Sequence, residues 1–220
     1  MTSVDRAIQI DQIISSRRTE KMVGADDYNW TLTPEELAAA DSGVEASIRV
    51  AGWAPFHYPR NLDGLVEPWR VRWLKRAECL TMATSLHDWI PGLKPNHKFP
   101  GLLRACGSCV VVTWLPESLE GENPKRQQMN EEHLAATGAY VQNLLLALNA
   151  RGLGSYWASG NVLYEGATPE RLGLGSHERV AAVVFVNYRP TESEGSLEAI
   201  AGKLCDRRDP EFGWLRQVKL

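Results

Sequence analysis

The stretch over residues 133–160, HLAATGAYVQNLLLALNARGLGSYWASG, constrains the fold more than any other part of the chain. Its first part is apolar on nearly every helical face, which predicts a helix in the middle of a core or between two subunits. Arg151-Gly152 predicts the end of that helix, because glycine readily takes the left-handed conformation that terminates helices. Residues 152–160 then surround one large aromatic with small residues. We predict that they form a loop at which backbone approaches a ligand closely.

The composition predicts a globular protein and excludes several classes of function. The chain has 220 residues, 44% of them hydrophobic, and a net charge of −3. This length suits one large domain or two small ones, and the hydrophobic content argues against disorder. No basic stripe is present, so we expect no nucleic-acid partner. No apolar run approaches about 18–20 residues and the N-terminus carries acidic residues, so we expect a soluble, cytoplasmic protein without a signal peptide or a membrane span.

Capping signals and hydrophobic periodicity predict the remaining elements. Thr33-Pro34-Glu35-Glu36 forms a capping box, which predicts a helix that ends near Gly52. Helices outnumber strands and do not alternate regularly with them, so we predict the α+β class rather than a doubly wound sheet. The other predictions are helices over 4–15, over 75–90 and from Thr168, strands over 69–75, 108–114 and 179–188, a loop over 91–103, and an exposed connection over 116–130.

Cysteines and histidines suggest no metal site. Cys106 and Cys109 form a CxxC motif, but no second pair of ligands follows at the spacing of a zinc site. The motif runs into a β-branched segment, so we interpret both cysteines as small residues that enter a buried strand. No two histidines have metal-ligand spacing on a helix. His57 stays a candidate site residue because it lies in a proline-bracketed loop beside aromatics.

Two common enzyme motifs are absent. A dinucleotide-binding G-x-G-x-x-G beginning at Gly152 would need a glycine where Trp157 stands, and it would follow a helix rather than a strand. No G-x-S-x-G sequence is present, which argues against a serine hydrolase.

Residues 15–21, SSRRTEK, concentrate positive charge and hydroxyl groups. The guanidinium groups of Arg17 and Arg18 are planar forks that suit phosphate oxygens, and the Thr19 hydroxyl adds a donor. Composition alone favours a solvated basic turn here, and the phosphate-binding interpretation is the alternative.

Four segments of the chain, in order, resemble motifs of the nitroreductase family of FMN-dependent oxidoreductases. Together they span roughly residues 8–190, and their common order and spacing make the resemblance specific. The first is ISSRRTEK at 14–21, which is similar to I-x-x-R-R-S-x-R/K. The second is AGWAP at 51–55 with EPWR at 67–70, which is similar to A-x-x-A-P-S…Q/E-P-W. The third is GAYVQNLLLA at 138–147 with RGLGSYW at 151–157, which is similar to G-x-x-x-Q-N-L-x-L-A…G-L-G-S-x-W, and the fourth is LGL at 172–174 before the strand at 179–188.

The resemblance implies a fold and an assembly. It implies one nitroreductase-like domain over residues 1–220, with a core at about 8–190 and a C-terminal arm at 191–220. The fold would be a central antiparallel sheet flanked by helices in an intertwined homodimer, with one FMN per subunit at the interface.

The resemblance also implies an activity. Hydride would pass from NADH or NADPH to a nitroaromatic, a quinone or a similar small molecule by a ping-pong mechanism, with no catalytic side chain, since the flavin carries the chemistry. One alternative is another redox reaction on the same fold, such as dehalogenation, flavin fragmentation or ring oxidation, with residues 91–130 as a substrate lid. The other is a flavin-binding protein without turnover.

Four residues near the N-terminus acquire cofactor roles from the resemblance. It implies that Arg17, Arg18 and Thr19 hold the FMN phosphate and ribityl chain. It implies that Lys21 points toward the N1/O2 edge of the flavin, where a cation stabilises negative charge.

The flavin ring would lie between two further segments. The resemblance implies that Pro55, Phe56 and His57 reach the ring from the other subunit. It implies that the opposite wall, with a backbone N–H near N5, consists of Trp157, Ala158, Ser159 and Gly160.

The sequence departs from the family pattern in three places. Phe56 stands where many members have Ser or Asn, and the loop from there to Glu67-Pro68-Trp69 is lengthened. Residues 191–195 are acidic where a Lys or Arg usually closes on the phosphate. The basic residues that could substitute for that cation are Arg189, Lys203, Arg207 and Arg208.

Overall fold

The computed structural model describes residues 2–118, 123–190, 192–200 and 214–218 of the chain. Helices and strands alternate irregularly along it. In chain order they are α1 (Ser3–Ser16), β1 (Lys21–Gly24), β2 (Asn29–Thr31), α2 (Pro34–Ala51), β3 (Trp69–Leu74), α3 (Arg76–Trp89), α4 (Lys98–Ala105), β4 (Ser108–Trp114), α5 (Pro124–Ala150), β5 (Gly154–Ala158), a 3₁₀ turn (Asn161–Tyr164), α6 (Thr168–Arg171), β6 (Arg179–Asn187), β7 (Glu192–Glu194) and β8 (Leu197–Ile200).

A four-stranded antiparallel sheet in the order β3-β4-β6-β5 separates two helical layers. The middle residues of the central strands β4 and β6 are apolar because both faces of these strands are buried. On β4, Val110 and Val112 pack with buried residues of α2 and α5. Cys109 and Val111 pack with buried residues of α3 and α4 on the other side. The prediction of an α+β fold with a central antiparallel sheet flanked by helices is confirmed.

Helix α2 confirms the capping-box prediction. The Thr33 hydroxyl accepts from the Glu36 N–H (3.2 Å), and a Glu36 carboxylate oxygen accepts from the Thr33 N–H (2.9 Å). Each contact satisfies a backbone donor that a helix start otherwise leaves without a partner.

Three sequence-based predictions were wrong about secondary structure. The predicted loop over 91–103 contains the start of α4, because Pro100 lies in the first turn, where its missing N–H costs no helical hydrogen bond. The predicted connection over 116–130 becomes helical at Pro124, which is the N1 or N2 residue of α5 after an Asn123 cap. The predicted loop over 152–160 contains β5, which pairs with β6.

The described part of the C-terminal arm pairs with its own chain. The acidic strand β7 pairs with β2, and β8 pairs with β1, both antiparallel. Three of the four candidate substitutes for the missing cation, Lys203, Arg207 and Arg208, lie outside the described residues. Within the described ranges, no helix is both long enough and apolar enough to cross a membrane.

Candidate active-site cleft

A cleft of about 520 Å³ opens where α5, the edge strand β5 and the segment after α1 meet. Its walls combine one cation with hydroxyl, amide and apolar groups. The lining residues are Arg17, Thr19, Gln142, Leu145, Ser155, Trp157, Ser159 and Ala181.

Strand alternation decides which residues of β5 reach the cleft. Successive side chains on a strand point to opposite faces. Ser155 and Trp157 line the cleft, whereas Tyr156 stacks on Phe185 in the core on the other side, with ring centroids 6.1 Å apart. Ala158 also packs against that opposite core.

The chain turns sharply where β5 leaves the cleft. Gly160 has φ +72°, and a Cβ at this position would lie 2.4 Å from Cγ2 of Val183 on β6. Both the backbone conformation and the space therefore require glycine. This turn holds Ser159 at the mouth of the cleft beside β6.

The segment that supplies Arg17 and Thr19 is fixed from two directions. At the end of α1, the Asn149 amide donates to the Ile13 carbonyl and to the Ser16 hydroxyl, both at 3.0 Å. Thr19 then forms a parallel bridge with Ser155 at the edge of β5. Arg17 and Thr19 are thus presented to the cleft by backbone that is hydrogen-bonded on both sides.

The charge of the cleft rests on Arg17. Its guanidinium makes no hydrogen bond or ion pair with any other described residue, and no carboxylate stands among the lining residues. Hydroxyl groups of Thr19, Ser155 and Ser159 surround the same space. An unpaired guanidinium beside hydroxyl donors suits an anion with several oxygens, such as a phosphate.

The rest of the cleft suits a flat aromatic group. Leu145, Trp157 and Ala181 supply apolar surface, and Trp157 keeps 43% of its surface exposed. Large aromatic side chains gain free energy by stacking when another ring covers them. A phosphorylated aromatic compound therefore matches both ends of this site.

Arg18 and Lys21, to which the family resemblance gives cofactor roles, have side chains that lie outside the cleft. The Arg18 guanidinium turns back on α1 and donates to the carbonyls of Ser15 (2.6 Å) and Arg17 (3.0 Å). The Lys21 ammonium lies 5.0 Å from the ring centroid of Tyr156, the residue of β5 that faces away from the cleft.

The 55–57 segment does not reach the cleft of its own chain. Phe56 contacts Trp69 edge to face, with centroids 5.6 Å apart, while Pro55 and His57 are exposed. The segment is fixed by Arg60, which donates to the carbonyls of Leu115 (3.0 Å) and Pro116 (3.1 Å).

Sequence reasoning missed several lining residues. Gln142 and Ser155 lie inside the motifs that carry the family resemblance, but the resemblance implies only a place in the dimer-forming helix for Gln142 and no cofactor role for either residue. Reading β5 as a strand would have found Ser155, because it stands two residues before Trp157. Leu145 lies in the 138–147 motif and Ala181 in the predicted strand 179–188, but only the packing of α5 and β6 brings them to this edge.

The three cysteines within the described residues are structural. Cys106, the C-cap of α4, and Cys109 on β4 are buried and free, which confirms their interpretation as core residues. A hydrogen bond with Cys106, together with burial, raises the pKa of the Cys79 thiol. Burial likewise raises the pKa of Cys109. Among the described residues, no group of three His, Cys, Asp or Glu side chains is placed to hold a metal ion.

Comparisons with known proteins agree with this architecture. The chain is 31% identical over 67 residues to "Putative NAD(P)H nitroreductase YfhC" of Bacillus subtilis, a match that covers 30% of this chain and 34% of that protein. A nitroreductase-like protein from Bacillus cereus superimposes with a TM-score of 0.54 at 20% identity, covering 93% of this chain and 96% of the other. A "putative nitroreductase in complex with fmn" from Desulfovibrio desulfuricans gives 0.54 at 21% identity, with 96% and 97% covered.

The sequence profile of the nitroreductase family matches residues 34–188, which is most of the chain and includes α5, β5 and the turn at Gly160. The chain belongs to the nitroreductase family.

Proposed function

We propose that the cleft binds FMN and that the protein transfers hydride from NADH or NADPH to an organic acceptor. The observation that carries this proposal is the unpaired Arg17 beside hydroxyl donors and an apolar wall. Family membership supports it, as does the FMN held by the Desulfovibrio relative.

Arg17 and Thr19 would bind the phosphate end of the cofactor. A phosphate monoester carries about −1.5 to −2 charges near neutral pH and three acceptor oxygens. The Arg17 guanidinium can donate two parallel hydrogen bonds to it, and the Thr19 and Ser155 hydroxyls can donate more. No lining carboxylate opposes that charge.

The apolar wall would orient the ring and exclude water from it. Leu145, Trp157 and Ala181 cover apolar surface, and the Gln142 amide offers a donor and an acceptor to ring heteroatoms. FMN held by these residues would supply the hydride-transfer chemistry between the nicotinamide and the acceptor. The chain then needs no acid or base of its own.

Ala158 and Gly160 would contribute backbone only, while Arg18 and Lys21 would have to leave their present contacts to take part.

A homodimer would complete the site. None of the residues of α1 is buried, and Val4, Ile8, Ile10 and Ile14 expose between 49% and 64% of their surface. A helix with so much exposed apolar surface favours association. In the proposed dimer, a second copy that covers it would bring its own 55–57 segment to the ring; that this segment does not reach the cleft of its own chain is compatible with such a role.

We propose a nitroaromatic or quinone as the acceptor and a ping-pong order, which the presence of one open cleft supports. If nicotinamide and acceptor occupy the same flavin face, they bind in turn. Anaerobic stopped-flow absorbance tests this order. We expect NADH or NADPH to bleach the flavin, and an acceptor added later, after removal of the nicotinamide, to restore its colour. Protein that takes up no flavin, or whose flavin neither nicotinamide reduces, would contradict the proposal.

A further inference from the structure

Glu20 follows the cleft residue Thr19; its backbone is hydrogen-bonded to two strands, and its carboxylate pairs with an arginine just after β6. Its backbone N–H donates to the Ser155 carbonyl of β5 at 2.9 Å. Its carbonyl accepts from the Asn187 side-chain amide of β6 at 2.8 Å. Its carboxylate pairs with Arg189, with Oε1 and Nη2 2.9 Å apart. Backbone and side chain are thus both held against the sheet.

Gly154 provides the space that the Glu20 carboxylate occupies. A Cβ at residue 154 would lie 2.0 Å from Glu20 Oε2 and 3.0 Å from Oε1. The first residue of β5 and the Glu20 side chain are therefore packed in direct contact. Only 32% of that side chain is exposed, so its position is determined by packing as well as by charge.

A carboxylate this close to a phosphate site would weaken anion binding if it stood alone. Coulomb repulsion between like charges acts over several ångströms even near the surface. Arg189 offsets the charge of Glu20, and Arg189 itself does not line the cleft. The pair leaves Arg17 as the cation that faces the cleft.

We propose that Glu20 is a positioning residue for the phosphate end of the cleft. Its side chain fixes residues 17–19 against β5, and Arg189 serves as its counter-ion rather than as a phosphate ligand. The inference rests on the proposed FMN function.

The direction in which Glu20→Ala changes the affinity for FMN distinguishes a positioning role from simple charge repulsion. If Glu20 merely repels the phosphate and restrains Arg189, then Glu20→Ala tightens FMN binding. If Glu20 positions Arg17, the same change weakens FMN binding about five- to tenfold, the loss expected when one charge-assisted hydrogen bond is impaired. Riboflavin lacks the phosphate, so its affinity should change less than about twofold.

The experiment is a fluorescence titration of the full chain, stripped of flavin, with FMN and with riboflavin. The variants are Glu20→Ala, Arg189→Ala and both together. We expect each single change to weaken FMN binding. The two losses should not add in the double variant, because each residue acts through the other. Glu45→Ala is the matched control, since Glu45 forms a comparable exposed pair with Arg49 (2.7 Å) on α2, which contributes no lining residue.

Gly154→Ala gives a second, independent test. The added methyl group would push the Glu20 carboxylate away without removing its charge, and the expected result is again weaker FMN binding with riboflavin little changed. The inference is overturned if the wild type binds FMN and these variants bind it equally well or more tightly. A wild type that binds neither flavin overturns the proposed function itself.

Discussion

The Arg72 guanidinium holds the Glu178 carboxylate in a two-point ion pair, with Nη1–Oε2 at 2.7 Å and Nη2–Oε1 at 2.6 Å. The Thr113 hydroxyl and the Gly175 N–H donate to the same carboxylate. The pair joins β3 to the start of β6 across β4. Burial raises the pKa of Glu178, but these donors outweigh burial and lower the pKa from 4.5 to about 2.

Arg72→Met should leave a buried carboxylate without its counter-ion and lower the free energy of unfolding by about 3 kcal/mol. Urea denaturation at neutral pH measures the change. Arg49→Met is the control, because the exposed Arg49–Glu45 pair contributes no more than about 0.5 kcal/mol. Equal losses in the two variants would contradict the assigned role.

The same ion pair predicts how stability depends on acid. The pKa of Glu178 is lower in the folded state than its ordinary value of 4.5, so its stabilisation is fully present above that value. The stabilisation is lost as the pH falls from about 4.5 towards about 2. Glu178→Gln should flatten the stability curve in this window, as measured by denaturation at several pH values. An unchanged slope would be inconsistent with the depressed pKa.

His133 should also make the free energy of unfolding depend on pH, more weakly than Glu178 does. The side chain is fully buried on α5, with the backbone of Leu115 and Tyr58 near its ring but no hydrogen bond of normal geometry to a described residue. Burial lowers its pKa from 6.5; Glu117 and the Leu115 and Tyr58 backbone oppose this effect, and Arg60 assists it. Stability is therefore full above pH 6.5 and falls as the pH drops below it, because the unfolded state binds the proton first. His133→Gln should remove this slope, whereas the exposed His87→Gln should keep it.

Two glycines with the same backbone angle should respond differently to alanine. Gly152 and Gly160 both have φ +72°, but a Cβ at Gly152 meets no atom within 4 Å, while one at Gly160 meets Val183 at 2.4 Å. Gly152→Ala should lower the free energy of unfolding by about 1 kcal/mol through backbone strain alone. Gly160→Ala should lower it by about 1–3 kcal/mol more, because the added methyl group also overpacks the site. Thermal unfolding ranks the two variants, and the reverse order would contradict the close contact between Gly160 and Val183.

The two adjacent arginines should differ in FMN binding. Arg17→Gln should weaken FMN affinity at least about tenfold, because it removes the charge that faces the cleft. Arg18→Gln should have a smaller effect, since its guanidinium is bonded to backbone carbonyls outside the cleft. Isothermal titration with FMN gives both values. A larger loss for Arg18 would show that the side chains rearrange when FMN binds.

Local signals explain which elements could be predicted from the sequence. The Thr33 box specifies the start of α2 because its hydrogen bonds join residues three positions apart. Strands β4 and β6 were predicted because burial on both faces demands an unbroken apolar run. Helix α4 was missed because Pro100 suggests a loop unless its place in the first turn is known.

Non-local pairing explains what the sequence did not predict. Strand β5 is rich in small residues, and only its ladder with β6 makes it a strand. Strands β7 and β8 are short and pair with residues far earlier in the chain. The positions of Arg17, Thr19, Trp157 and Ser159 at one cleft agree with the family motifs, but Leu145 and Ala181 join them only through tertiary packing.

The central claim is that the cleft beside Arg17 is the FMN site of a homodimer. A crystal structure of the full chain with FMN tests it most directly. We predict one FMN per chain, with its phosphate hydrogen-bonded to the Arg17 guanidinium, its ring against Trp157, and the 55–57 segment of the partner subunit in contact with the ring. FMN bound elsewhere on the chain, or held by one subunit alone, would contradict the account.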